Sequence, residues 1–163
     1  MSTQTSANEL SETVQKNARR DIAAWLATFV ERHGGFVGSV HLAESASAGQ
    51  IFLVAAYNLP ARIQNAAAVV PIGKGVAGVA AERREPVVMV DLQTDTSGVA
   101  RPLARASESK SSVTLPVSSP TDPETLLAVV GLGFEHSLEF TDDQIALFMQ
   151  DAATIPVEPT ANG

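Results

Sequence analysis

The sequence predicts an α+β fold. It is built on a central antiparallel sheet of roughly five to six strands, with N- and C-terminal helices on one face and short helices plus a long loop forming a pocket on the other. Three observations predict it. Long helical periodicity is confined to the two ends of the chain, and the segments between them favour strand patterns. Adjacent strand segments are joined by short turns, which favours antiparallel pairing over parallel crossovers. Residues 126–134 are apolar at nearly every position, as a central strand covered on both sides must be.

Residues 1–7 are Ser/Thr/Gln-rich and predict a disordered N-terminus. Ser6 and Glu9 have capping-box spacing, and Leu10, Val14, Ile22, Trp25, Leu26, Phe29 and Val30 recur at helical spacing up to Gly34-Gly35. One long helix over 8–33 is expected. Residues 36–43 and 51–57 alternate and form a hairpin around Gly49, broken by Leu59-Pro60. Residues 60–68 predict a short helix, 69–72 an extended piece, and 76–84 a second short helix after Gly73-Lys74-Gly75. Residues 86–90 form a strand, and 91–110 a polar loop, too long to be only a connection, expected to act as a mobile lid. Strands follow at 112–117 and 126–134, separated by the turn cluster Ser119-Pro120-Thr121-Asp122-Pro123. Thr141 and Gln144 predict a capping box opening the last helix, with Phe140 against Ile145 as its staple and Ile145, Phe148, Met149 and Ala152 on one face. A single domain over 8–153 and a flexible tail over 154–163 are expected.

Composition excludes several functions. Eleven Lys+Arg against eighteen Asp+Glu give a net charge of -7, which argues against nucleic acid and anionic membranes as partners. There are no cysteines, hence no disulfide framework, thiol nucleophile or Cys-ligated metal. No apolar run reaches membrane-spanning length and no leader pattern is seen, so a cytoplasmic location is expected.

Pro71-Ile72-Gly73-Lys74-Gly75-Val76-Ala77-Gly78-Val79-Ala80 resembles the GAF domain. So do the strand and aspartate at Glu85 to Asp91, the strand with its proline at Ser111 to Val117, and the last strand and helix start at Val130 to Phe134 and Phe140-Thr141. The likeness runs in order over about residues 15–153 and implies a stand-alone sensory or signalling domain. Enzymes of this fold that reduce free methionine sulfoxide work through cysteines, as does bilin attachment, and this chain has none. Cyclic-nucleotide-binding members tend to carry an Asn-Lys…Phe…Asp-Glu motif. Phe140 matches it, but Gly133-Phe134-Glu135 and Gln144-Ile145 do not.

The residues themselves offer three readings. First, the helix start at Gly75, Val76 and Ala77 presents oriented N–H groups suited to an anion, and Arg101 and Arg105, with Asp91 and Thr94 in the same loop, would clamp it. Tyr57, Thr114 and Phe134 are expected to line the same pocket. The ligand is then a small anion, with no cofactor, no metal and no catalytic residue, since no nucleophile–base pair occurs. Second, the domain is a ligand-free dimerisation module docking onto a signalling protein. A homodimer through the first and last helices is expected in either case, from the stripe Leu10, Val14, Ile22, Trp25 and Phe29. Third, an enzyme. Gly73-x-Gly75-x-x-Gly78 followed by Asp91 also matches a dinucleotide fingerprint, against which stand the short helix and Pro71 in the strand. The plainer reading is that these glycines only shape a turn, that Arg101 and Arg105 are solvated, and that His41 packs in the core rather than binding haem.

Overall fold

A computed structural model describes residues 9–43, 49–90 and 110–157. The chain enters through α1 (Glu12–Asn17) and α2 (Arg20–Arg32), where the sequence predicts one helix. Ala18 and Arg19 between them are extended. The Arg19 N–H donates to the Val54 carbonyl at 2.8 Å, a strand partner in place of a helical one. The break sends the two helices to different clusters. Val14 of α1 packs with Leu53 and Ala68, while Ile22, Leu26, Phe29 and Val30 of α2 enter the main core. The apolar stripe expected to pair two copies is therefore largely consumed within one chain. The helix also starts later than predicted. Ser11 is its cap, accepting from the Val14 N–H at 3.3 Å, so Glu9 lies ahead of it, and Ser6 lies outside the described residues.

Six strands follow: β1 (Val37–Ala43), β2 (Gln50–Tyr57), β3 (Val69–Pro71), β4 (Val87–Met89), β5 (Ser111–Ser118) and β6 (Leu126–Phe134). They form one sheet in the order β3-β2-β1-β6-β5-β4, and every neighbouring pair is antiparallel. Strand parity then assigns the faces. Val40, Val113, Leu115, Val130, Leu132 and Phe134 meet α2 and α5 (Asp142–Ala152), whose Phe148 and Ala152 are buried. The predicted capping box is present: the Gln144 N–H donates to Thr141 Oγ1 at 3.1 Å, and the Thr141 N–H to Gln144 Oε1 at 2.8 Å. Phe140, expected on Ile145, lies against Phe134 and Phe148, with ring centroids 5.2 and 5.8 Å away. The chain stays on the body beyond α5. Ile155 is buried, and the Trp25 Nε1–H donates to Thr154 Oγ1 at 3.0 Å, so residues 154–157 do not begin a loose tail.

The other face carries α3 (Ala61–Ala66) and α4 (Gly75–Arg83). Val79, Ala80 and Ala81 of α4 cover Ile51, Val87, Met89 and Val129. The glycines before α4 shape a tight turn. The Gly73 N–H donates to the Gly78 carbonyl at 2.7 Å, and a Cβ on Gly78 would collide with the Pro71 carbonyl oxygen. The strand ahead of them is the short antiparallel edge β3, not the parallel strand of a dinucleotide crossover, so the fingerprint match is a turn.

Candidate functional site

The cavity lies between the sheet, α3 and the start of α4. Its floor follows from parity. Ser39, Gly131 and Thr114 stand in one row across β1, β6 and β5, and the next row toward one end of the sheet is Val37, Gly133 and Ser112. The two glycines place no side chain in the middle of the floor. A Cβ on Gly131 would stand 2.8 Å from Ser39 Oγ. On the other side of the Ser39 row, His41 pairs with Val129 of β6 and Leu53 of β2. The register of β2 shifts there, leaving Val54 as an extra residue. Leu53 thus stays on the cavity face while Val54 and Ala55 both join the main core.

Ile63, Gln64 and Ala67 of the α3 segment form one wall, and Lys74, Gly75, Val76 and Ala77 the other. The cavity opens to solvent on one side, and its volume is about 530 Å³, within the range of small-molecule sites. Most of the lining is apolar. The polar side chains among the described lining residues are Ser39, His41, Gln64, Lys74, Ser112 and Thr114, and no Asp or Glu is among them. Lys74 is exposed at the rim and makes no side-chain cap to α4, so the first N–H groups of that helix carry their partial positive charge without a side-chain cap.

His41 is 3% exposed. Its Nε2 lies 2.9 Å from the Ala67 carbonyl oxygen, which ties the floor to the α3 wall. Burial pushes its pKa down to about 4, and the bond to Ala67 offsets only part of that, so the ring is neutral at pH 7. Among the described residues its Nδ1 has no partner.

Of the residues the sequence singles out, Gly75, Val76, Ala77 and Thr114 line the cavity. Tyr57 and Phe134 do not. Tyr57 pairs with Gly38 and packs on the α2 side, and Phe134 sits in the main core. Asp91, Thr94, Arg101 and Arg105 lie outside the described residues, as does the expected lid apart from Lys110. Sequence reasoning missed Ser39, His41, Lys74, Ser112, Gly131 and Gly133 as lining residues. The signal for two of them was available: Gly131 and Gly133 are small residues on a strand expected to be covered on both sides.

The family model of the GAF domain matches residues 4–155. This chain is a GAF domain. Among proteins of curated function, none matches its sequence. Among solved structures, the GAF domain of a phosphoenolpyruvate-protein phosphotransferase from Coxiella burnetii is 21% identical, with a TM-score of 0.62 and 88% of each chain covered. The corresponding domain from Acinetobacter is 13% identical, with a TM-score of 0.64 over 87% of this chain and 84% of that one. The free methionine-R-sulfoxide reductase of Neisseria meningitidis, in complex with its substrate, is 22% identical, with a TM-score of 0.58 over 80% and 74%. At these identities the likeness is one of fold. GAF domains are in general signalling and ligand-binding modules and mostly not catalytic, although the reductase shows that the fold also hosts enzymes. Among the described residues, no helix is long and apolar enough to cross a membrane.

Proposed function

We propose that this GAF domain is a sensory module whose cavity takes a small organic anion. One observation carries the reading. In a chain of net charge -7, the described lining contains no carboxylate, while Lys74 and the start of α4 supply positive potential at one wall. The apolar remainder suits an organic body on that charge. Arg101 and Arg105, in the sequence between β4 and β5 and outside the described residues, are proposed as a second cationic contribution. The reductase-like alternative is not favoured, because the chain has no cysteine.

The test is a thermal-shift and calorimetric screen of small carboxylates and phosphates against neutral and cationic compounds. It is joined to native mass spectrometry of protein purified from its own cell. Anions stabilising the wild type, and doing so less in Lys74→Ala, support the reading. Stabilisation by cationic compounds alone overturns it.

A second reading concerns assembly. Leu147 on the outer side of α5 is 56% exposed and neighbours Arg32 and Gln150 around a shallow depression. We propose that a second copy covers this side, making a homodimer through the first and last helices. A monomer in light scattering at high micromolar concentration overturns it.

A further inference from the structure

Resting on the reading of the cavity as an anion site, we infer that its ligand also carries a hydroxyl or N–H donor, and that His41 Nδ1 receives it. Nε2 lies 2.9 Å from the Ala67 carbonyl oxygen, and a carbonyl oxygen only accepts. Nε2 therefore carries the ring proton. A neutral imidazole with its proton on Nε2 has a lone pair on Nδ1, which can only accept.

That acceptor is left unpaired among the described residues and is itself closed to solvent, on a side chain that is 97% buried and lines the cavity, so a ligand's donor reaches it only as a neighbouring lining group gives way. Buried acceptors without a partner are rare and unfavourable, and they call for an explanation. His41 Nδ1 stands alone in this respect among the buried side-chain nitrogens and oxygens of the described residues. Its neighbours across the sheet, Val129 and Leu53, have apolar side chains that offer no donor. Lys74 marks the charged end of the ligand, and the orphaned lone pair marks where its donor goes. An ion that only accepts, such as a simple carboxylate, satisfies Lys74 and leaves His41 unanswered. The ligand class is thus a small hydroxy acid, or an acid bearing an amino or ring N–H group.

Matched acids that differ by one donor test this. Calorimetry compares 4-hydroxybenzoate with 4-fluorobenzoate, 4-hydroxyphenylacetate with 4-fluorophenylacetate, and lactate with propionate. The donor-bearing member of at least one pair is expected to bind about tenfold or more tightly, because a site built to pair a hydroxyl rejects the analogue lacking it. His41→Gln keeps a donor for the Ala67 carbonyl but puts no acceptor at Nδ1. It should lose the preference while still binding the weaker member. Nitrogen-15 NMR of the wild-type imidazole reads the contact independently of any variant: the Nδ1 resonance shifts toward its hydrogen-bonded position with the donor-bearing acid only. Equal affinity within every pair, or an Nδ1 signal already hydrogen-bonded before ligand and unmoved by it, overturns the inference and leaves the anion reading standing. The second result would assign the acceptor to an ordered water. Binding of no acid at all overturns the anion reading itself, and this inference with it.

Discussion

Acidification from about pH 7 to about pH 5 should weaken this fold chiefly through His41. In the unfolded chain the imidazole protonates with its ordinary pKa of 6.5; in the native cavity floor it does so only at about 4. Between those values the unfolded state binds more protons, so stability is complete above 6.5 and falls as the pH is lowered toward 4. Integrating the linkage relation between the two pH values gives a loss of about 2 kcal/mol from this one residue. That is a large share of a typical domain's stability. The desolvated ring is the cause, and the single bond from Nε2 to Ala67 is too little to hold a charge there. Urea unfolding at a series of pH values, followed by circular dichroism, measures the loss. His41→Gln removes the titrating group and keeps a donor for Ala67, so its stability should decline less over the same interval. Wild-type and variant curves that run parallel between these two pH values would refute the argument, as would an NMR titration of His41 with a midpoint near 6.5.

Four further substitutions follow from the geometry. Gly131→Val should leave the strand intact, since a β-branched residue suits β6 and Ser39 Oγ can rotate away; unfolding free energy should change by less than about 1 kcal/mol, while calorimetry finds anion binding weakened by about 1–3 kcal/mol. Gly78→Val meets backbone instead, the Pro71 carbonyl, and should cost about 1–3 kcal/mol by urea unfolding without adding any side chain to the cavity floor. Asp151 accepts from Arg32 Nη1 at 2.7 Å and lies 2.6 Å from His33 Nε2. Asp151→Ala should therefore cost about 1.5–3 kcal/mol, but Arg32→Ala, whose side chain is 57% exposed, less than about 1 kcal/mol; equal losses in chemical denaturation would disprove this division.

The strands were legible because each carries a two-residue alternation or an unbroken apolar run between turn residues, and Thr141 and Gln144 announce the last helix by chemistry alone. The break at Ala18-Arg19 was not legible. Nothing local forbids a helix there, and what ends it is a bond from Arg19 to Val54 on a strand much later in the chain. The site was half legible for a related reason. Gly75, Val76 and Ala77 are marked by the glycine turn, and Thr114 by its strand. Phe134 was placed on the wrong face because adjacent residues of a strand point opposite ways: Gly133 faces the cavity, so its neighbour cannot. Tyr57 needs the register with Gly38 to be placed, and that register passes through the bulge at Val54. His41 looked like an ordinary core residue, and only its unmatched second nitrogen says otherwise.

The break between α1 and α2 has a mechanical consequence. Asn65, in the last turn of the wall helix α3, grips the incoming chain twice: its Oδ1 accepts from the Ser11 N–H at 2.7 Å, and its Nδ2 donates to the Glu9 carbonyl at 2.8 Å. The segment 9–17 is thereby harnessed to the cavity wall, while α2, immediately beyond, is bolted to the opposite layer. Arg19, held to the sheet by Val54, is the fulcrum between them. The α3 wall and the segment 9–17 thus form one mechanical unit, joined by two hydrogen bonds and by the packing of Val14 on Leu53 and Ala68, and separate from the main core that α2 enters.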